Sequence, residues 1–145
     1  MDYPSGPISA AAFPISMLHV LHIEDQPDIQ TILRLTLQAS KQFKVDGAAT
    51  GEAGLALARE LKPDVILLDY TLPDLNGDQI LEGLRANPDT LHIPVILLTA
   101  LTDNIDMQRC RALGALDIIV KPFSPRTIAA QIQALLAAHT ATGAV

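Results

Sequence analysis

Tryptophan is absent from this sequence, cysteine occurs once, and aromatic residues make up only 3%. A lone Cys110 excludes an intramolecular disulfide, and no His/Cys spacing suits a structural zinc, so the fold must rest on aliphatic packing in a reducing setting. Runs of lysine or arginine are missing too, and the formal net charge is −6, which argues against phosphate-backbone binding as the main activity. Direct nucleic-acid binding is therefore not expected. No apolar run approaches the ~20 residues of a membrane helix, and the N-terminus lacks the basic region of a secretion signal. These absences predict a soluble, cytoplasmic protein without membrane contact.

What the chain has is aliphatic residues: hydrophobic types make up 49% of 145 residues, ample for one buried sheet in one domain. Residues 1–16, rich in Pro, Ser, Gly and Ala, read as a flexible leader, 17–139 as the domain, and 140–145 as a flexible tail. Within the domain the pattern alternates. Strands are predicted over 17–23, 44–49, 65–69, 95–98 and 115–120, and helices over 27–39, 51–61, 77–86, 103–113 and 124–138. Pro63 stops the second helix, and Gly114 suits the left-handed position that closes the fourth. The all-apolar run Val65–Leu68 is of the kind buried on both faces of a parallel sheet. Five strands alternating with five helices predict an α/β doubly wound parallel sheet.

The apolar runs stop at polar residues. Asp69 follows Val-Ile-Leu-Leu, Glu24-Asp25 follows the first strand, Thr99 the fourth and Lys121 the fifth. In doubly wound sheets the site lies outside the carboxyl ends of the strands, so these residues fall on one edge. A carboxylate there is costly unless a cation meets it. Clustered acidic groups would have raised pKa values unless Lys121 or a divalent cation compensates them.

With Glu24-Asp25, Asp69 followed by Leu72-Pro73-Asp74 and Gly77, Thr99-Ala100 and Lys121-Pro122-Phe123 in this order, the chain resembles the receiver domains of bacterial two-component response regulators over about residues 17–139. The resemblance implies the flavodoxin-like receiver fold, with Asp69 as phosphoacceptor for a sensor histidine kinase, a phosphotransfer protein or a small phosphodonor. It implies that Asp25, Asp69 and the backbone carbonyl of Thr71 hold Mg²⁺, with Glu24 acting mostly through metal-bound water. Thr99 would hydrogen-bond one phosphoryl oxygen and Lys121 would pair with another. A cis Lys121–Pro122 peptide is also implied, as is an activity limited to the domain's own phosphorylation and dephosphorylation. Output would pass to a downstream protein effector or a fused output domain, and the surface of helix four, strand five and helix five could pair symmetrically through Asp106, Arg109, Asp117 and Arg126. No output domain follows the fifth helix, so a stand-alone receiver or a fragment of a longer regulator is expected.

Some residues depart from the family pattern. Ile118 replaces the aromatic residue often found three positions before the lysine, which puts a ring-based switch in doubt and leaves coupling to Thr99 and the loop after it. Leu101, two residues after Thr99, is expected to hinder hydrolytic water and slow dephosphorylation. A pseudo-receiver acting by binding alone is the alternative, although none of the acidic residues nor the lysine is lost. A dehalogenase-type phosphatase would need an aspartate where Thr71 stands, and a flavin binder would need a donor-rich loop where Glu24-Asp25-Gln26 is acidic. Cys110 reads as structural, and His19 and His22, three apart on a strand, point to opposite faces.

Overall fold

The computed structural model describes residues 17–100 and 105–141. The elements run β1 (Leu18–Ile23), α1 (Pro27–Ala39), β2 (Phe43–Ala48), α2 (Gly51–Leu61), β3 (Val65–Asp69), α3 (Gly77–Arg85), β4 (Val95–Ala100), α4 (Met107–Ala112), β5 (Ala115–Lys121) and α5 (Ile128–Ala141). All neighbouring strands pair in parallel, in the order β2-β1-β3-β4-β5. This is the doubly wound sheet that the alternation predicts.

Two aliphatic cores flank the sheet. On one side Val20, Val65, Leu67, Ile96 and Leu98 pack with Leu33 and Leu37 of α1 and Ile128 and Ile132 of α5. On the other, Leu21, Ile23, Ile66, Leu68 and Leu97 meet Ala58 of α2, Ile80, Leu81 and Leu84 of α3, and Cys110 of α4. Alternation along each strand assigns its residues to these two faces, and β3, buried at every position, serves both. α1 does not bury all its apolar residues: Ile32 and Leu35 are about half exposed, at 49% and 57%.

Local chemistry explains most boundaries. Pro27 opens α1 at a position where its missing N–H costs nothing. Thr50 caps α2, its hydroxyl accepting the Ala53 N–H at 3.1 Å. Gly114, at φ 89°, takes the left-handed conformation after α4. Two helices begin later than the sequence reading places them. α5 begins at Ile128 instead of 124, because Ser124 and Pro125 form a separate turn in which the Ser124 carbonyl accepts N–H groups from Thr127 and Ile128. α4 begins at Met107, capped by the Asp106 carboxylate, instead of at 103. Residues 103 and 104 lie outside the described set, as does Leu101. The ends of the sheet shift by a residue or two: β4 and β5 extend to Ala100 and Lys121, and β2 runs from Phe43 to Ala48.

Candidate functional site

The strand order places β1 and β3 side by side at the centre, with β2 and β4 on opposite flanks, so the chain's crossovers diverge at their carboxyl ends. Glu24 leaves β1 with its N–H donated to the Ala48 carbonyl of β2 at 2.9 Å. The Gln30 side chain of α1 holds both strand ends, its Nε2 donating to the Glu24 carbonyl at 2.6 Å and the Ala48 carbonyl at 3.1 Å. Gly47 leaves room for that amide, since a Cβ there would lie 2.7 Å from Gln30 Oε1.

Glu24 is fully buried, and Asp69, the last residue of β3, is nearly so. Lys121, the last residue of β5, reaches both: its Nζ lies 3.0 Å from Glu24 Oε1 and 3.2 Å from Asp69 Oδ1. Asp25 is exposed, and one carboxylate oxygen from each of Glu24, Asp25 and Asp69 falls within 4.8 Å of the others. Thr99 is buried one residue beyond Leu98, the register partner of Asp69, and is itself paired with Val120. Its hydroxyl donates to the Ala100 carbonyl at 3.2 Å. Thr71 is exposed in the loop after β3, and its backbone N–H donates to the Asp69 carboxylate. The structure thus gathers Glu24, Asp25, Asp69 and Lys121 into one cluster and puts Thr99 and Thr71 beside it. The Lys121–Pro122 peptide is cis.

Burial pushes the Glu24 and Asp69 carboxyls above the ordinary carboxylate range, and Lys121 opposes that rise through its hydrogen bonds and charge. Burial also works against the Lys121 ammonium, but its hydrogen bond to Glu24 and the charge of Asp69 take its pKa above the ordinary lysine value. One ammonium against three carboxylates leaves two formal negative charges, on an all-oxygen donor set. That combination fits a hard divalent cation such as Mg²⁺. Beside Lys121 opens an apolar groove of about 450 Å³, lined by Ile29, Ile32, Ala100, Pro122, Phe123 and Pro125.

Several residues had no sequence signal tying them to the site. Gln30 is one. His22 is another: it is buried, and both ring nitrogens lack hydrogen-bond partners among the described residues. Away from the site, at the amino ends of β4 and β5, Arg85 donates to the carbonyls of Leu91, Ile93, Leu113 and Gly114 and so ties the end of α3 to the α4–β5 turn. The expected opposition of His19 and His22 holds, with His19 Nε2 meeting Asp46 at 2.6 Å. Cys110 is buried, and burial raises its thiol pKa, which disfavours the reactive thiolate.

Comparison with known proteins agrees with this geometry. Residues 20–133 match the family described as response regulator receiver domain. The transcriptional regulatory protein AfsQ1 of Streptomyces coelicolor is 42% identical over 120 residues, covering 83% of this chain and 52% of that protein. The transcriptional regulatory protein KdpE of Mycobacterium tuberculosis is 39% identical over 125 residues, covering 86% of this chain and 54% of that protein. The chain spans about half the length of these curated relatives. Among solved structures, the chemotaxis response regulator CheY4 of Vibrio cholerae superposes with a TM-score of 0.75 at 31% identity, covering 83% of this chain and 99% of that one. The chain belongs to the response regulator receiver domain family of two-component phosphorelay signalling. Among the described residues, no helix is long and apolar enough to cross a membrane.

Proposed function

We propose that Asp69 is the phosphoacceptor, taking a phosphoryl group from the phosphohistidine of a sensor histidine kinase or phosphotransfer protein, or from a small phosphodonor. The observation that carries this reading is the Lys121 ammonium held between two buried carboxylates, 3.0 Å from Glu24 and 3.2 Å from Asp69, at the edge where the strand order reverses. In the transfer an Asp69 oxygen bonds to phosphorus as the phosphorus–nitrogen bond to the donor imidazole breaks. The imidazole keeps that electron pair and takes up a proton, and the product is an acyl phosphate. Lys121 then pairs with one phosphoryl oxygen and the Thr99 hydroxyl donates to another, stabilising charge that spreads over the equatorial oxygens. Positioning and electrostatics supply the catalysis, which is confined to the domain's own phosphorylation and dephosphorylation.

Asp25, Asp69 and the Thr71 carbonyl would hold Mg²⁺, with Glu24 reaching it through water, and the excess negative charge of the cluster supports that assignment. When bound, the ion supplies positive charge against the transferring phosphoryl group. The apolar groove beside Lys121 suits the docking of the phosphodonor protein. Output passes through the face of α4, β5 and α5 to a protein effector or a fused output domain. A homodimer through that face would draw little on the expected charge set: Asp106 caps α4, Arg109 is engaged with Asp78 and Glu82 of α3, and Asp117 accepts the Ile118 N–H. Arg126 and the exposed Val120 are better placed for it. Ile118 packs against the α2–α4 core, so coupling would run through Thr99 and the loop beyond it.

The test is an amide NMR titration with Mg²⁺ followed by beryllium fluoride, which mimics a phosphoryl group on a carboxylate. Saturating, Mg²⁺-dependent shifts at Asp69, Thr99 and Lys121 that vanish in Asp69→Ala are the expected result. No response to either ion would replace this reading with that of a pseudo-receiver that binds partners without phosphorylation.

A further inference from the structure

We propose that Asp74 is a positioning residue for the metal site, tying the loop that carries Thr71 to the amino terminus of α2. The proposal rests on the assignment of the Thr71 carbonyl, with Asp25 and Asp69, as a Mg²⁺ ligand.

The loop over residues 71–76 is pinned at its base: the Gly77 N–H donates to the Tyr70 carbonyl at 2.7 Å, and Thr71 and Asn76 form an isolated antiparallel bridge. Its tip is held from outside. Asp74 Oδ1 accepts the Gly51 N–H at 2.8 Å, and Oδ2 accepts the Glu52 N–H at 2.9 Å. These are the first two N–H groups of α2, which the helix itself cannot satisfy. Thr50 serves the next two, its hydroxyl taking the Ala53 N–H and its carbonyl the Gly54 N–H. The α2 terminus thus has an ordinary cap of its own, and Asp74 adds a bidentate link to another element.

The Leu75 side chain of the loop also packs against the α2 backbone at Gly51. A Cβ on Gly51 would lie 2.9 Å from Leu75 Cδ1 and 3.0 Å from Leu75 Cβ, so only glycine allows this approach. The two N–H groups hold the Asp74 carboxyl below its ordinary range, keeping it ionised and accepting at neutral pH. Thr71 already gives its N–H to Asp69, so the orientation of the loop decides where its carbonyl points. A loop fixed at base and tip presents that carbonyl without further ordering, whereas a loop free at its tip must be ordered by the ion.

Mg²⁺ alone, titrated into the full chain and followed at the Thr71 and Asp69 amides, tests the link. Asp74→Ala should weaken Mg²⁺ binding about five-fold, and Asp74→Asn, whose single oxygen can accept one of the two N–H groups, should fall between. Thr50→Ala, which weakens the same helix end but leaves the link, should stay within about two-fold of the wild type. Hydrogen exchange at Gly51 and Glu52 should quicken in Asp74→Ala. The proposal fails if Asp74→Ala binds Mg²⁺ as the wild type does, or if Thr50→Ala weakens binding equally. If Asp74→Ala does not fold, the same criteria apply to Asp74→Asn. A wild type that shows no saturable Mg²⁺ shift overturns the metal assignment itself, and this proposal with it.

Discussion

Replacing His22 with valine should make this protein more stable, and the gain should grow as the pH falls. His22 lies in the middle of the sheet, 1% exposed, between Gly47 of β2 and Leu67 of β3 in register. Its ring presents two polar nitrogens that no described residue meets. An unsatisfied buried polar group costs about 1–3 kcal/mol, so an apolar β-branched side chain should gain on that order at about pH 8, less a small cavity term. Burial, with a further contribution from the charge of Lys121, lowers the imidazole pKa from 6.5 to about 3. The sign follows from linkage. Above the unfolded value the ring is neutral in both states and contributes no slope. Below it the unfolded chain binds a proton that the folded protein refuses, and stability falls by roughly 1.4 kcal/mol per pH unit until the folded value is reached. Between about pH 8 and pH 5 the loss is about 2 kcal/mol. Glu24 and Asp69 act in the opposite direction, because carboxyls raised in the folded state gain stability as they protonate. Comparing wild type with His22→Val cancels that contribution. Urea melts of both proteins without Mg²⁺, read by circular dichroism at each pH, should show the stability gap widening by about 2 kcal/mol. A gap that stays constant across this range would refute the reasoning, since it would mean that the imidazole is protonated equally in both states.

Mg²⁺ at ten times its Kd should stabilise the protein by about 1.4 kcal/mol, and binding should weaken as pH falls, because the raised Glu24 and Asp69 carboxyls must release protons to accept the ion; calorimetry in buffers of different ionisation heat reads the proton release, and a pH-independent affinity would contradict it. Gly54→Ala, which in an exposed helix would stabilise by about 1 kcal/mol, should here destabilise by about 1–3 kcal/mol, because its Cβ would meet Ile23 Cδ1 at 2.5 Å; thermal melts should show Ile23→Val restoring part of the loss.

Much of this was legible along the chain. The extents of α1, α2 and β3 match the periodicity to the residue, because Pro27, Thr50 and Pro63 mark helix ends chemically and because a run buried on both faces needs no partner to be recognised. α4 and α5 were less legible. Asp106 and Ser124 are both plausible caps, and whether the chain turns or coils after one depends on what it packs against. The site followed the same division. Glu24, Asp25, Asp69, Thr99 and Lys121 stood out because a polar residue ending an apolar run is visible locally. Gln30, His22 and the reach of Asp74 to α2 did not, since a glutamine in a helix or an aspartate in a turn has an ordinary local explanation.

The sequence by itself determined the alternation of strand and helix and the polar residues at the strand ends, both of which are properties of neighbours along the chain. The tertiary structure alone decided that β1 lies between β2 and β3, and that Lys121 meets a carboxylate 97 residues earlier in the chain. It also decided that Asp74 reaches a helix 23 residues before it. Periodicity specifies which face a residue presents, but the distance between two faces depends on strand order and register, and these exist only once the whole sheet has formed.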